Sequence, residues 1–223
     1  MLVGSILYLL EWVAIIPFAT GVLETRGLSQ DEIVAAYADN ADGAAIMAGW
    51  FSVVLLGRIA IAAGLRGALR NSPRQLHLMD FAIGAMVVSV ALEVAGFGLG
   101  AAAGWLAREG GDPSAIVALD AGGAFLYQIL VGPLAVFLLV SGLAMLRSGF
   151  FPAWMSWLGI AAGVVGIPAG VIAAAAFDGG TLRSVFDAAF SVLGLGFWVW
   201  MLATGIFLSR RAGRHEEHEV LAG

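Results

Sequence analysis

Long apolar runs separated by short polar connections dominate the chain. A run of about 20 apolar residues predicts a spanning helix, because a helix rising ~1.5 Å per residue needs that length to cross ~30 Å of hydrocarbon. The runs cover residues 2–21, 44–65, 78–105, 118–146, 153–176 and 185–209. No alternating ten-residue pattern indicates a barrel. We therefore expect an all-α, polytopic membrane helix bundle with six transmembrane helices.

Arginine placement predicts the orientation. Seven arginines lie on one side of the predicted spans and three on the other, with Arg58 inside the second span. The first group is Arg66, Arg70, Arg74, Arg147, Arg210, Arg211 and Arg214, and the second is Arg26, Arg108 and Arg183. The positive-inside rule then places both termini in the cytoplasm. Residues 1–209 form the six-span domain, and residues 210–223 form a charged cytoplasmic tail.

The first outer loop is longer than the other connections and contains a helix signal. Ser29 followed by Glu32 has the form of a capping box. The next apolar residues, Ile33, Val34 and Tyr37, recur at helical spacing. These features predict a short amphipathic helix that lies on the membrane surface.

Composition supports lipid as the solvent. The chain of 223 residues is 61% hydrophobic and 12% charged, with a mean hydropathy of +0.94. Soluble domains carry roughly 25% charged residues. All basic residues other than histidine are arginine, which is typical of a high-GC bacterial genome. We expect a protein of the bacterial cytoplasmic membrane, with membrane lipids as partners, either as a homo-oligomer or as a subunit of a larger membrane complex.

Glycines mark the faces along which helices pack. Gly96, Gly100 and Gly104 recur every four residues in the third run. In the fifth run, Gly159 pairs with Gly163, and Gly166 pairs with Gly170. Small residues at this spacing allow close approach of two helices, either within one chain or between two copies.

Two ionisable residues at similar depth predict an ion pair. Glu11 lies in the first run and Arg58 in the second, and an unpaired charge at mid-depth costs ~2.5–3.5 kcal/mol on the insertion scale. Antiparallel neighbouring helices would bring Glu11 and Arg58 together in the inner half of the membrane. The alternative is that Arg58 snorkels to the cytoplasmic head groups.

Glu93 is the candidate for a ligand or proton site. It shares the packing face of the third run with Ser89 and the glycines, and its expected depth lies in the outer half of the membrane. Gln128 has a similar depth, and the sixth run brings Asp187 and Ser191 from the same end. These residues predict a polar cavity centred on Glu93. The alternative is a structural hydrogen bond from a protonated Glu93 to Gln128.

Several chemistries lack the residues that they need. There is no cysteine and no lysine, which excludes thiolate metal sites and retinal-type Schiff bases. The three histidines lie outside the runs, so they cannot hold a haem within the membrane. No nucleotide-binding loop or nucleophile motif is present, and the few arginines do not form a nucleic-acid surface. We expect no cofactor, no metal and no nucleic acid.

From the second run to the end, the chain resembles a bacterial six-helix membrane family known as domain of unknown function 4386, most clearly over residues 146–159. The resemblance rests on the Arg147 turn, the Pro152-Ala153-Trp154 opening and the Ser156 and Gly159 that follow. Glu93 also matches an acidic position of that family. One departure is the last run, where residues 190–200 contain neither the proline nor the glutamate that the family often has. The resemblance implies six spans and no assigned activity.

Two classes of function remain. The absence of catalytic motifs and internal repeats favours a non-enzymatic membrane subunit or a module that binds a lipid or another small hydrophobic ligand. The alternative is a small proton- or cation-coupled transporter with Glu93 as its intramembrane site.

Overall fold

A computed structural model describes residues 2–18, 25–176 and 180–222. For Leu2 and for residues 12–18 and 212–222 it describes the backbone alone. Within these ranges the chain forms nine helices and no strand. They are α1 (Leu2–Phe18), α2 (Gln30–Asp39), α3 (Ala41–Val54), α4 (Leu56–Ala68), α5 (Pro73–Arg108), α6 (Pro113–Ile129), α7 (Val131–Ser148), α8 (Ala153–Ile172) and α9 (Gly180–Ala222).

Five helical segments of the described residues are long and apolar enough to cross a membrane, which indicates a multi-pass membrane protein. They are Ala41–Ala68, Pro73–Arg108, Pro113–Ser148, Ala153–Ile172 and Gly180–Arg211. Large apolar side chains point away from the bundle, as Val171 (78% exposed) and Leu195 (64% exposed) do. Helix α1 has 17 residues and is not among the five. The end of the first predicted run, residues 19–21, lies outside the described residues.

Two of the predicted spans are each interrupted at a single residue. The fourth run is divided at Leu130 into α6 and α7 because Pro133 has no N–H to donate to the carbonyl of Ile129. The second run is divided at Leu55 into α3 and α4, where the N–H of Arg58 donates to the Leu55 carbonyl three residues back (3.1 Å). This tightened turn lies beside Gly57, and no proline in the sequence predicts it.

Helix α2 begins directly after Ser29, and the capping box predicted from the sequence is present. The backbone N–H of Ser29 donates to the Glu32 carboxylate (2.7 Å), and the N–H of Glu32 donates to the Ser29 hydroxyl (3.4 Å). The first of these bonds lowers the pKa of Glu32. Ile33 and Tyr37 are buried against α5 and α6, so α2 packs on one end of the bundle, which we call the α2 end.

Glycines bring the helices into close contact within the chain. A Cβ on Gly170 of α8 would lie 2.5 Å from Cα of Gly132 on α7. A Cβ on Gly104 of α5 would lie 3.0 Å from Cα of Ala41 on α3. The glycine faces predicted from the sequence therefore pack within this bundle. Helix α5 contacts five other helices, α2, α3, α4, α6 and α7.

Candidate functional sites

Arg58 of α4 lies between two carboxylates inside the bundle. Its Nε donates to Oε2 of Glu11 on α1 (2.9 Å), and its Nη2 donates to the other oxygen of the same carboxylate. On the opposite side, Nη1 donates to Oε2 of Glu93 on α5 (2.6 Å), and Nη2 lies 3.4 Å from Oε1. The Phe197 ring faces the guanidinium at 5.1 Å. We call Glu11, Arg58 and Glu93 the buried triad.

Close approach of α1 and α4 places Glu11 beside Arg58. A Cβ on Gly57 would lie 2.7 Å from the backbone nitrogen of Tyr8, and one on Gly4 would lie 2.8 Å from Cβ of Ala60. Glycine at both positions therefore allows the two backbones to touch. The triad side chains are correspondingly inaccessible, with Glu11 at 0%, Arg58 at 6% and Glu93 at 14% exposure.

The partner of Glu93 differs from the sequence expectation. The hydrogen bond between Glu93 and Gln128, which was the alternative to a polar cavity, does not form, and Glu93 contacts Arg58 instead. The contact between Arg66 and Asp80 gives the register of α4 and α5. Arg58 is eight residues from Arg66 and Glu93 is 13 residues from Asp80, so their Cα atoms differ in height by ~7.5 Å. A long arginine side chain spans that difference.

A cavity of about 640 Å³ opens at the α2 end among α2, α3, α5, α6, α9 and residues 25–26. Its apolar wall includes Met47, Phe97, Phe186 and Phe190. Polar side chains also line it. They are Thr25, Arg26, Tyr37, Asp120, Tyr127, Gln128, Arg183 and Asp187. Glu93 does not line this cavity, which corrects the expectation of a cavity centred on that residue.

Asp120 holds the first polar cluster of the cavity. The Tyr37 hydroxyl donates to its Oδ1 (2.8 Å), and the Thr25 hydroxyl lies within reach of both oxygens (3.0 and 2.9 Å). Burial, followed by the hydrogen bond to Asp120, raises the pKa of Tyr37, so the phenol stays protonated. Asp120 was not among the site residues predicted from the sequence, although it shares a face of α6 with Ala124, Tyr127 and Gln128.

Arg183 holds the second polar cluster. Its Nε donates to the Asp187 carboxylate (2.9 Å), and its Cζ lies 5.4 Å from the centre of the Phe186 ring. When the Gln128 amide is oriented to suit its neighbours, its nitrogen donates to the Ala173 carbonyl (2.7 Å) and its oxygen accepts from Arg183. Two predicted candidates, Gln128 and Asp187, are thus joined through an arginine that was not predicted as a site residue.

The two predicted serines bond to the main chain and do not line the cavity. Ser89 is buried and donates to the Leu130 carbonyl (3.4 Å). Ser191 is exposed and donates to the Asp187 carbonyl (2.8 Å). The five candidates therefore divide among the triad, the cavity wall and hydrogen bonds to main-chain carbonyls.

Comparison with known proteins found no similar protein. The chain matches no family model, no curated protein and no solved structure. The described residues contain no group of three side chains suited to hold a metal ion. The fold and these two sites together define the class as a multi-pass helical membrane protein with a buried triad and a separate cavity.

Proposed function

We propose that this chain is a non-enzymatic protein of the bacterial cytoplasmic membrane that binds a small hydrophobic ligand with a polar head in the α2-end cavity. The observation that carries the proposal is the cavity itself, with aromatic walls and two polar clusters. Its volume of about 640 Å³ lies within the range of ~300–1,000 Å³ that is usual for small-molecule sites.

The ligand would reach the cavity from the lipid. Helix α6 packs against α2 and α5, whereas α9 packs against α8 and α4, so the cavity lies between two groups of helices. Phe190 lines the cavity and is also 42% exposed on the surface of the bundle. An apolar ring in both positions suits a molecule that enters sideways from a bilayer.

The charges of the cavity favour a ligand whose head is a cation or an N–H donor. Asp120 receives its hydrogen bonds from two neutral hydroxyls, whereas Arg183 has Asp187 as a counter-ion. Arg26 is exposed at the rim, in reach of solvent. A carboxylate with aromatic rings nearby is a recurrent environment for organic cations, because ring faces attract positive charge.

Topology is the second part of the proposal. We propose that α1 is a sixth span and that both termini are cytoplasmic, supported by its packing against α4 and by the arginine asymmetry. Its 17 described residues would cover ~25 Å. The resemblance of residues 146–159 to the six-helix family is consistent with this topology and remains a proposal. A transporter that uses Glu93 ranks second, because Glu93 faces Arg58 and does not line the cavity.

Matched hydrophobic ions test the ligand site. Tetraphenylphosphonium and tetraphenylborate have the same shape and opposite charge, and their binding to the protein in nanodiscs can be measured by equilibrium dialysis. We expect the cation to bind, and Asp120→Asn to weaken it roughly tenfold, equivalent to ~1.4 kcal/mol. Ala124→Phe, in the cavity wall, should reduce binding of the cation further.

Ala118→Phe is the control, because Ala118 is exposed on the same helix and does not line the cavity. Equal binding of the cation by the parent, Ala124→Phe and Ala118→Phe would contradict the proposed cavity. Preferential binding of tetraphenylborate that Ala124→Phe abolishes would keep the cavity and overturn the charge of its ligand.

A further inference from the structure

The buried triad has one negative charge more than its cation can neutralise. Arginine stays protonated in proteins, so Arg58 contributes one positive charge. If Glu11 and Glu93 are both ionised, the triad carries a net charge of −1. All three side chains are at most 14% exposed. An uncompensated charge in such surroundings is strongly disfavoured.

No other described cation is placed to neutralise this charge. The arginines that pair with carboxylates elsewhere are Arg66 with Asp80, Arg108 with Asp42 and Arg183 with Asp187. Helix α8 has no charged residue, and the arginine of α7, Arg147, lies in its last turn.

The remaining groups near the triad are uncharged. Tyr127 on α6 lies near Glu93, and Tyr8 on α1 donates to the Trp198 carbonyl (3.3 Å). From α9, the Phe197 ring covers Arg58. The groups that face the triad from α1, α6 and α9 therefore leave its charge unbalanced.

We propose that the triad binds one exchangeable proton and that Glu93 carries it. Glu11 receives two donors from Arg58 and is fully buried, whereas Oε1 of Glu93 is 3.4 Å from its nearest donor and Glu93 is partly exposed. A proton that passes from water to Oε1 of Glu93 makes the triad neutral, and no other bond changes. This site is separate from the ligand cavity and does not depend on the proposed function.

Proton binding at this position would stabilise the packing of α1, α4 and α5. With the proton bound, Arg58 joins one carboxylate and one neutral carboxyl group. When the proton leaves, two carboxylates repel each other across the guanidinium. Over the pH range in which the unfolded chain has released this proton and the folded protein still holds it, the folded protein binds one proton more. The free energy of unfolding therefore falls as the pH rises through that range.

Neutral variants test the charge count. The thermal stability of the parent in nanodiscs is expected to fall with rising pH, whereas Glu93→Gln and Glu11→Gln should each flatten the profile, because each variant makes the triad neutral without a proton. The double variant Glu11→Gln, Glu93→Gln should be less stable than either single variant, since it leaves Arg58 without a partner. Asp39→Asn, at an exposed carboxylate outside both the triad and the cavity, should keep the parental profile.

Infrared spectroscopy tests the proton directly. Its first result needs only the parent, and the conservative aspartate variants then assign the band. A protonated carboxyl band that disappears as the pH rises is expected, and it should shift in Glu93→Asp but not in Glu11→Asp. A parent without such a band, or a band that moves only in Glu11→Asp, would overturn the proposal. So would a parent that sodium stabilises at constant pH and ionic strength, because the triad would then hold a metal cation.

Discussion

Arg58 is the residue whose loss should damage the protein most. Removing one partner of a buried ion pair strands the other and typically costs ~3–5 kcal/mol. Arg58→Met would strand Glu11 and Glu93 together. We expect this variant to lose most of its folded yield, and the triple variant Arg58→Met, Glu11→Gln, Glu93→Gln to recover most of it. Size-exclusion chromatography and thermal denaturation in detergent measure both.

The comparison of single and triple variants separates two accounts of Arg58. If the arginine served only to reach cytoplasmic head groups, the added glutamine substitutions would bring no recovery. Equal losses in the two variants would therefore contradict coupling within the triad. Arg66→Met is the matched control, because Arg66 and Asp80 are both exposed and such pairs contribute only ~0–1 kcal/mol.

At the scale of residues, some contacts could be predicted from the sequence and others could not. Counting residues from the ends of the apolar runs was enough to predict that Glu11 pairs with Arg58. The same counting placed Glu93 too far from Arg58, because the Arg66–Asp80 contact sets α5 lower against α4 than the ends of the apolar runs suggest. An arginine side chain reaches across the difference that remains. Asp120 was missed because its partners, Thr25 and Tyr37, come from the first connection.

At the scale of helices, glycine contacts determine how closely α7 and α8 approach. A methyl group at Gly170 would lie 2.5 Å from Cα of Gly132, which is closer than two carbon atoms can pack. We expect Gly170→Ala to force the helices apart and to cost ~1–3 kcal/mol, the usual range for overpacking. The fall in thermal unfolding temperature in detergent is the measurement.

Gly98→Ala provides the control for this substitution. A Cβ at Gly98 would meet nothing within 4 Å, although the residue lies in a helix as Gly170 does. Alanine there should be neutral or stabilise by ~0.5–1 kcal/mol, because it lowers the backbone entropy of the unfolded chain. A loss as large as that of Gly170→Ala would show that glycine matters in these helices for a reason other than close packing.

Helix interruptions show where sequence patterns are informative. Pro133 gave a direct signal for the division between α6 and α7, because proline removes a helical donor. The division at Leu55 had no such signal, since both sides of it continue the same apolar run. The capping box at Ser29 predicted where α2 begins, but only the fold shows that Ile33 and Tyr37 pack on α5 and α6.

At the scale of the molecule, lipid exposure explains the composition. Exposed Trp105, Trp154 and Trp157 lie within a turn or so of helix ends, as interfacial anchors do. Glu11 and Arg58, by contrast, are buried inside the bundle, and Asp120 and Arg183 line the cavity. Hydropathy could predict this division between outside and inside, because it depends on local composition. The cavity could not be predicted in this way, because it depends on how five helices and a loop meet.

The proposed orientation can be tested by labelling introduced cysteines, because the chain has no cysteine of its own. If both termini are cytoplasmic, Ser29 before α2 faces the outside and Ser72 before α5 faces the cytoplasm. An impermeant thiol reagent on intact cells should label Ser29→Cys and leave Ser72→Cys unlabelled until the cells are lysed. Leu2→Cys should behave like Ser72→Cys if α1 crosses the membrane. Labelling of Ser72→Cys alone would reverse the orientation, and labelling of both Leu2→Cys and Ser29→Cys would show that α1 does not span.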